Sequence, residues 1–171
     1  SGWNRTQQIL HQNTAFNQAQ VDEIEKYTEQ LMCGKPIQYI LGKAWFMGQN
    51  FIVNENVLIP RPETEELVEW IISYANIKNK TLSILDIGTG SGCIAIALKM
   101  TLPHCEVSAL DVSKEALKVA QLNANNLNVS IQWMEQNILD TVALENAYDI
   151  IVSNPPYIPI RKKESMQKQV V

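Results

Sequence analysis

Leu82-Ser83-Ile84-Leu85-Asp86-Ile87, followed at once by Gly88-Thr89-Gly90-Ser91-Gly92 and then by the apolar run 93–100, is the stretch on which the fold turns. The first part reads as a strand buried on both faces. The glycines let the chain bend tightly and bring its backbone close to a ligand. A helix behind such a loop presents unpaired N–H groups and the positive end of its dipole. The same unit repeats downstream. Glu106-Val107-Ser108-Ala109-Leu110 forms a second strand ending at Asp111, and Ser113 caps a helix with Ala116, Leu117, Ala120 and Leu122 inward. A third strand is expected at Val129-Ser130-Ile131-Gln132-Trp133 and a fourth at 148–153, its Ile150-Ile151-Val152 core buried on both sides. Strands alternating with helices in this way predict an α/β fold with a parallel, doubly wound sheet.

The fourth strand runs into Asn154-Pro155-Pro156-Tyr157. A strand cannot continue through two prolines, which lack N–H groups and have a fixed φ. The chain must turn at the carboxyl end of the strand, where open α/β sheets bind their ligands. The side-chain amide of Asn154 and the carbonyl of Pro155 can together accept both hydrogens of an NH2 group, and the Tyr157 ring can stack on something flat. By itself, Asn-Pro-Pro is as readily a turn after a core strand as a site.

The glycine loop is also weak in isolation. Its spacing, however, is Gly-x-Gly-x-Gly with Asp86 just ahead of it, and differs from the Gly-x-Gly-x-x-Gly of dinucleotide sites. An acid, Asp111, ends the next strand, where it can take both hydroxyls of a ribose. With the amide-accepting turn on the fourth strand, this arrangement suits S-adenosylmethionine. Its amino-acid end would lie over Gly88, Thr89, Gly90, Ser91 and Gly92 near Asp86, its ribose on Asp111 and its methyl toward Asn154.

Upstream, residues 1–34 read as helical and polar, with Val21, Ile24, Leu31 and Met32 on one face of a helix that ends at Gly34. Pro36 can open a short helix as its first residue, with Ile37, Ile40 and Leu41 inward and Gly42 at its end. Ala44-Trp45-Phe46-Met47 and Phe51-Ile52-Val53 read as a hairpin, with a further short strand at Val57-Leu58-Ile59. Phe46 is core or the wall of a pocket. Pro60-Arg61-Pro62-Glu63-Thr64 is a stiff loop entering a helix whose first turn is acidic, and Leu67, Val68, Ile71 and Ile72 form that helix's apolar face. Its plain reading is a rigid helix entry, and its functional reading is a preformed loop beside a pocket.

The 171 residues, 46% apolar and 19% charged, allow one domain with a real core and a small accessory piece. A net charge of -4 leaves no basic footprint for duplex nucleic acid. No apolar stretch has the length of a membrane span. Cys33, Cys93 and Cys105 are an odd number at no metal-ligand spacing, and His11 and His104 are isolated, so free thiols and no metal are expected.

Taken together, the glycine loop, Asp111 and Asn154-Pro155-Pro156-Tyr157 resemble the class I methyltransferases that modify NH2 groups. Longer matches are similar to the peptide-chain-release-factor glutamine N5-methyltransferases, the HemK/PrmC family. They are Pro36-Ile37-Gln38-Tyr39-Ile40-Leu41-Gly42, Phe46 with Gly48, the run from Val57 through Pro60-Arg61-Pro62-Glu63-Thr64-Glu65, and the segment from Asn154 to Pro159. The resemblance implies a Rossmann-like, mostly parallel class I fold that uses S-adenosylmethionine. It also implies a helical segment at 1–42, a β-hairpin linker at 43–59 and a methyltransferase domain at 60–171.

The implied reaction methylates the side-chain amide of the glutamine in the Gly-Gly-Gln loop of class I release factors, in the cytoplasm, without direct nucleic-acid or membrane contact. On that pattern Asn154 and the Pro155 carbonyl take the amide hydrogens, Pro156 shapes the turn and Tyr157 packs on the flat amide. The cofactor contacts carry over to Gly88 through Gly92 and Asp111, with Asn137 and Ile138 flanking the adenine. Asn137 stands where relatives often carry an acid, and Met47 where they often carry tryptophan.

The resemblance implies further strands after this motif and a longer N-terminal domain. The chain therefore reads as a C-terminally incomplete fragment whose last strand opens apolar surface to partners. The alternatives are an N6-adenine or N2-guanine nucleic-acid methyltransferase, which needs a flipped base, and a binding module that holds the cofactor or a partner without catalysis. A dinucleotide oxidoreductase is disfavoured by the glycine spacing.

Overall fold

The computed structural model describes residues 5–10, 15–78, 80–140, 144 and 146–155. Four parallel strands form the central sheet: β3 (Ser83–Ile87), β4 (Glu106–Asp111), β5 (Gln132–Glu135) and β6 (Ile150–Ser153), in the order β5-β4-β3-β6. Helices α4 (Pro62–Lys78), α5 (Cys93–Thr101) and α6 (Lys114–Asn126) accompany it. Strand order runs outward from β3 through β4 to β5 and then returns to the other side of β3 with β6. The reversal opens a crevice between the carboxyl ends of β3 and β6. The chain is thus the parallel, Rossmann-like α/β fold expected of a class I methyltransferase.

Helix α5 is buried along residues 93–98, because it lies between the sheet and its neighbours; an all-round apolar helix can sit nowhere else. Its contacts join Ile84, Val107 and Ala109 of the sheet with Val68 and Ile71 of α4 in one core. Strand β6 differs from the expected doubly buried strand. Val152 is buried but Ile151 is 54% exposed, because among the described residues β6 is the sheet edge and has one covered face. It also starts at Ile150, later than expected; the Asp149 N–H donates to the Ser83 carbonyl at 2.8 Å before the ladder begins.

Two further expectations shift. Strand β5 begins at Gln132 and not at Val129, since Asn128 turns left-handed (φ 55) and the Val129 N–H closes the end of α6 on the Ala124 carbonyl. Leu122 is exposed, while Ala116, Leu117 and Ala120 are buried as expected and Val119, Asn123 and Ala124 are buried beside them.

Among the described residues, the N-terminal region is helical as expected, in α1 (Arg5–Leu10) and α2 (Gln18–Met32). Asn17 starts the second through a capping box with Gln20. Gly34 is left-handed just past its end, but Ile24, Leu31 and Met32 are exposed. Pro36 is the cap of α3 (Ile37–Leu41) and not its first residue. Ile37 and Leu41 are exposed, with Ile40 half-buried.

The hairpin forms as β1 (Lys43–Phe46) and β2 (Gln49–Ile52). Its two-residue turn has φ of 47° at Met47 and 76° at Gly48, the positive pair that a type I′ turn requires. Phe46 is core: fully buried, it meets Phe51 edge-on at 6.0 Å. Residues 57–59 are not a strand. Val57 and Ile59 are buried against Ala44, Val53 and Ala116, while the Val57 carbonyl accepts from the Tyr39 hydroxyl at 2.7 Å in place of a ladder. No helix among the described residues is long and apolar enough to cross a membrane.

Candidate cofactor and acceptor site

The parallel register sets the site. Ile87 pairs with Leu110 on one side and with Ser153 on the other. Gly88, Asp111 and Asn154 therefore leave the sheet at one level, from three adjacent strands. The Ser153 hydroxyl locks this alignment by donating to the Ile87 carbonyl at 2.8 Å. A cleft at this level is lined by Ile59, by Arg61 and Thr64 from the Pro-Arg-Pro-Glu-Thr stretch, by Gly88 and Gly90, and by Asn154. The stiff helix entry is thus a wall of the site. A larger cavity of about 570 Å³ opens among Ser83, Glu106 and Ser130, at the amino ends of the strands, away from these residues and from the end where such sheets bind ligands.

The glycine loop is held by backbone bonds. The N–H groups of Gly88 and Thr89 both donate to the Leu110 carbonyl, at 2.9 and 3.0 Å. Asp111, turned onto the loop, accepts from the Gly90 N–H through Oδ2 and from the Ser113 N–H through Oδ1, both at 2.9 Å. Each oxygen keeps a second lone pair, which is what a ribose hydroxyl needs. Gly88 and Gly90 have positive φ, and a Cβ on either would meet nothing within 4 Å, so both face open space. Gly92 is different: its place is inside the packing.

Asp86 is 1% exposed, and its Oδ2 accepts from the Thr89 hydroxyl at 2.6 Å. Its Oδ1 and the Ser91 hydroxyl are buried polar atoms with no hydrogen-bond partner among the described residues. Burial pushes the Asp86 carboxyl up to about 6, against the pull of the Thr89 hydroxyl and the Ala95 amide. Burial and the neighbouring Asp86 likewise push the Cys93 thiol up to about 12, which keeps it a neutral packing group.

The donor set fits S-adenosylmethionine, the cofactor that the fold implies. A buried carboxylate with an unused oxygen suits an ammonium, open glycines give room for an amino-acid chain, and a carboxylate at the next strand end suits a ribose. A pH dependence follows. The Asp86 carboxyl titrates near 3.8 when unfolded and near 6 when folded, so the folded protein binds the extra proton between those values. Its contribution to stability is present below the unfolded value and is lost as pH rises through about 6. Relative to the parent, Asp86→Asn is expected to gain roughly 2 kcal/mol between pH 4 and pH 7 in the cofactor-free protein, read from urea midpoints. Equal pH profiles for parent and variant would rule this out.

Asn137 and Ile138 follow β5 and are half-buried; they are not among the residues lining the cleft. The Asn137 amide donates to Asp140 at 2.7 Å and accepts from the Leu139 N–H at 3.1 Å. Their loop is nevertheless tied to Asp111, since the Gln136 N–H donates to the Asp111 carbonyl at 3.1 Å. Pro155 is exposed just past β6. Pro156 and Tyr157 lie outside the described residues.

Two residues with site contacts were not expected from the sequence. Thr64, 5% exposed, accepts from Asn154 Nδ2 at 2.6 Å. Asn123, buried on α6, accepts from the Ile52 N–H, and its NH2 donates to the carbonyls of both Ile52 and Ser91, joining the hairpin to the glycine loop. The bracketing prolines pointed at the first; nothing in a run of Ala and Asn on a helix singled out the second. Among the described residues no group of three or more His, Cys, Asp or Glu could hold a metal.

Comparison with known proteins agrees with this geometry. Residues 71–171 match the family described as "Methyltransferase small domain", and residues 1–42 match the "PrmC N-terminal domain". The chain is 51% identical over 98% of its length to a protein of Flavobacterium psychrophilum named release factor glutamine methyltransferase, covering 59% of that protein. It is 46% identical over 92% of its length to one of the same name from Enterococcus faecalis, covering 56%. The chain spans between half and two thirds of the length of these curated relatives. The structure of a SAM-dependent methyltransferase from Agrobacterium tumefaciens matches at a TM-score of 0.55 and 21% identity, over 67% of this chain and 39% of that one, and carries the fold alone. With the strand-end geometry and these matches in hand, the chain belongs to the methyltransferase small-domain family and carries a PrmC-type N-terminal segment.

Proposed function

We propose that this chain belongs to an enzyme that methylates the side-chain amide nitrogen of the glutamine in the Gly-Gly-Gln loop of class I release factors, a cytoplasmic protein substrate. The observation that carries the reading is the common level at which Gly88, Asp111 and Asn154 leave the sheet, with a cleft between the glycine loop and the amide. The names of the relatives support the choice of substrate. The division into a helical segment at 1–42, a hairpin linker at 43–59 and a methyltransferase domain from 60 belongs to the same proposal.

S-adenosylmethionine, when bound, supplies an electrophilic methyl on a sulfonium. The chain's own residues do the rest. The loop from Gly88 to Gly92 cradles the amino-acid end, Asp86 faces its ammonium and Asp111 takes the ribose, while Asn137 and Ile138 flank the adenine. An amide nitrogen is a poor nucleophile because its lone pair is delocalised into the carbonyl. Accepting its two hydrogens at Asn154 Oδ1 and the Pro155 carbonyl, with Tyr157 against its face and Pro156 fixing the turn, aims that lone pair. The contribution is orientation in a site that excludes water. Proton loss follows transfer, when the nitrogen has become strongly acidic, so no general base is needed.

The test is incubation of the natively expressed protein with methyl-labelled S-adenosylmethionine and a class I release factor, with DNA and RNA in parallel. Label is expected in the release factor alone. It should vanish when the loop glutamine is alanine, and label that persists in that variant or appears in nucleic acid would overturn the assignment.

A further inference from the structure

The first turn of α4 has a task that the helix itself does not explain. Thr64 and Glu65, consecutive residues after the bracketing prolines, each reach a different distant segment. Glu65 Oε1 accepts from the N–H of Met47 at 2.6 Å, gripping the hairpin turn. Thr64 Oγ1 accepts from Asn154 Nδ2 at 2.6 Å, across 90 positions of sequence. Pro62 at the first helical position and Pro60 before it hold this turn stiff, and the Thr64 N–H is itself tied to the Arg61 carbonyl at 3.0 Å.

We infer that Thr64 is a positioning residue that anchors the Asn154 amide with its oxygen edge turned away from α4. This rests on the acceptor role proposed for Asn154. An asparagine side chain is nearly symmetric in shape but opposite in hydrogen-bonding sense at its two ends. Rotated by half a turn, Asn154 would present two donors where an incoming NH2 group needs an acceptor, and donor would meet donor. Shape alone does not choose between the two states. In the arrangement observed, the Thr64 hydroxyl, which can donate as well as accept, takes the Nδ2 hydrogen and so holds the NH2 toward α4 and the oxygen on the opposite edge of the amide. The stiff entry of α4 fixes that hydroxyl without help from the substrate. This gives the Pro-Arg-Pro-Glu-Thr stretch its function: it carries the reference point for the acceptor.

The experiment compares Thr64→Val, which keeps size and loses the hydroxyl, with Thr64→Ser, which keeps the hydroxyl, in the natively expressed protein. Two readouts are taken together. In amide NMR spectra the Asn154 side-chain NH2 is expected to show a shifted, slowly exchanging proton in the parent and in Thr64→Ser, and to lose both features in Thr64→Val. In methyl transfer to a release factor, kcat is expected to fall about 10–100-fold in Thr64→Val, the size of effect that misplacing a reacting group produces. S-adenosylmethionine affinity should stay unchanged in both variants, and Thr64→Ser should recover most of the rate. An unchanged Asn154 NH2 signal in Thr64→Val overturns the inference, as does a parental kcat in a Thr64→Val protein that binds the cofactor normally. If the parent itself fails to methylate release factors, the substrate reading falls, and the NMR arm still decides the role of Thr64.

Discussion

Asn154→Ala is expected to lower methyl transfer about 10³-fold while changing S-adenosylmethionine affinity by less than about tenfold. The two effects separate because different strands carry them. The groups proposed for the cofactor's amino-acid end and ribose stand at the ends of β3 and β4, where the loop is bonded to Leu110 and Asp111. Asn154 belongs to β6, and its side chain is anchored outward to α4. Removing it takes away one acceptor for the substrate's NH2 and leaves the loop intact. Loss of a single preorganised hydrogen-bonding group at a reacting centre costs two to three powers of ten in rate. Here the same group also does the aiming, which puts the expectation at the upper end. Single-turnover transfer of labelled methyl, with affinity from calorimetry on the same preparation, is the measurement. Transfer at the parental rate would mean that Asn154 is not the acceptor's partner, and affinity lost in proportion to rate would mean that it is a cofactor ligand instead.

What could be read from the sequence divides along physical lines. The sheet was legible because buried parallel strands are continuous apolar runs, and the glycine loop because it breaks one of them abruptly. The level at which Gly88, Asp111 and Asn154 meet was legible for the same reason, since parallel strands that end in polar residues end together. Residues 57–59 misled because Val57 and Ile59 alternate inward as a strand would, yet a tyrosine hydroxyl and not a ladder satisfies the carbonyl between them and the loop. Leu122 misled because a leucine on an amphipathic helix is assumed to be buried; the buried place beside it went to Asn123. That asparagine can be buried only because its three hydrogen bonds to Ile52 and Ser91 are all made by partners far away in sequence. The prolines marked the stretch that holds Thr64, but its bond to Asn154 was hidden for the same reason. A hydrophobic pattern reports which face is inside, whereas a long-range polar contact leaves no periodic trace.

Gly92→Ala is expected to destabilise the fold by about 2–5 kcal/mol, a large share of the stability of an ordinary domain. Two penalties combine. At φ +79° the backbone is left-handed, which costs an alanine about 1–2 kcal/mol. The added Cβ would also stand 3.0 Å from Ala120 Cβ, 3.0 Å from Ile96 Cδ1 and 3.2 Å from Trp133 Cη2. Ile96 can turn its terminal methyl aside. Ala120 cannot, because its Cβ is fixed to the backbone of α6. Relief therefore requires α6 to move away from the glycine loop, and α6 carries the Asn123 side chain that holds Ser91 in place. The damage should reach the site as well as the core. Gly88→Ala and Gly90→Ala make the contrast. Both are left-handed but meet nothing within 4 Å, so they are expected to lose only the backbone penalty in stability and to show their main effect as weaker cofactor binding. Urea midpoints of the three variants, measured without cofactor, separate the cases. If Gly92→Ala unfolded no earlier than Gly88→Ala, the close approach of α5, α6 and β5 would not be what demands a glycine there.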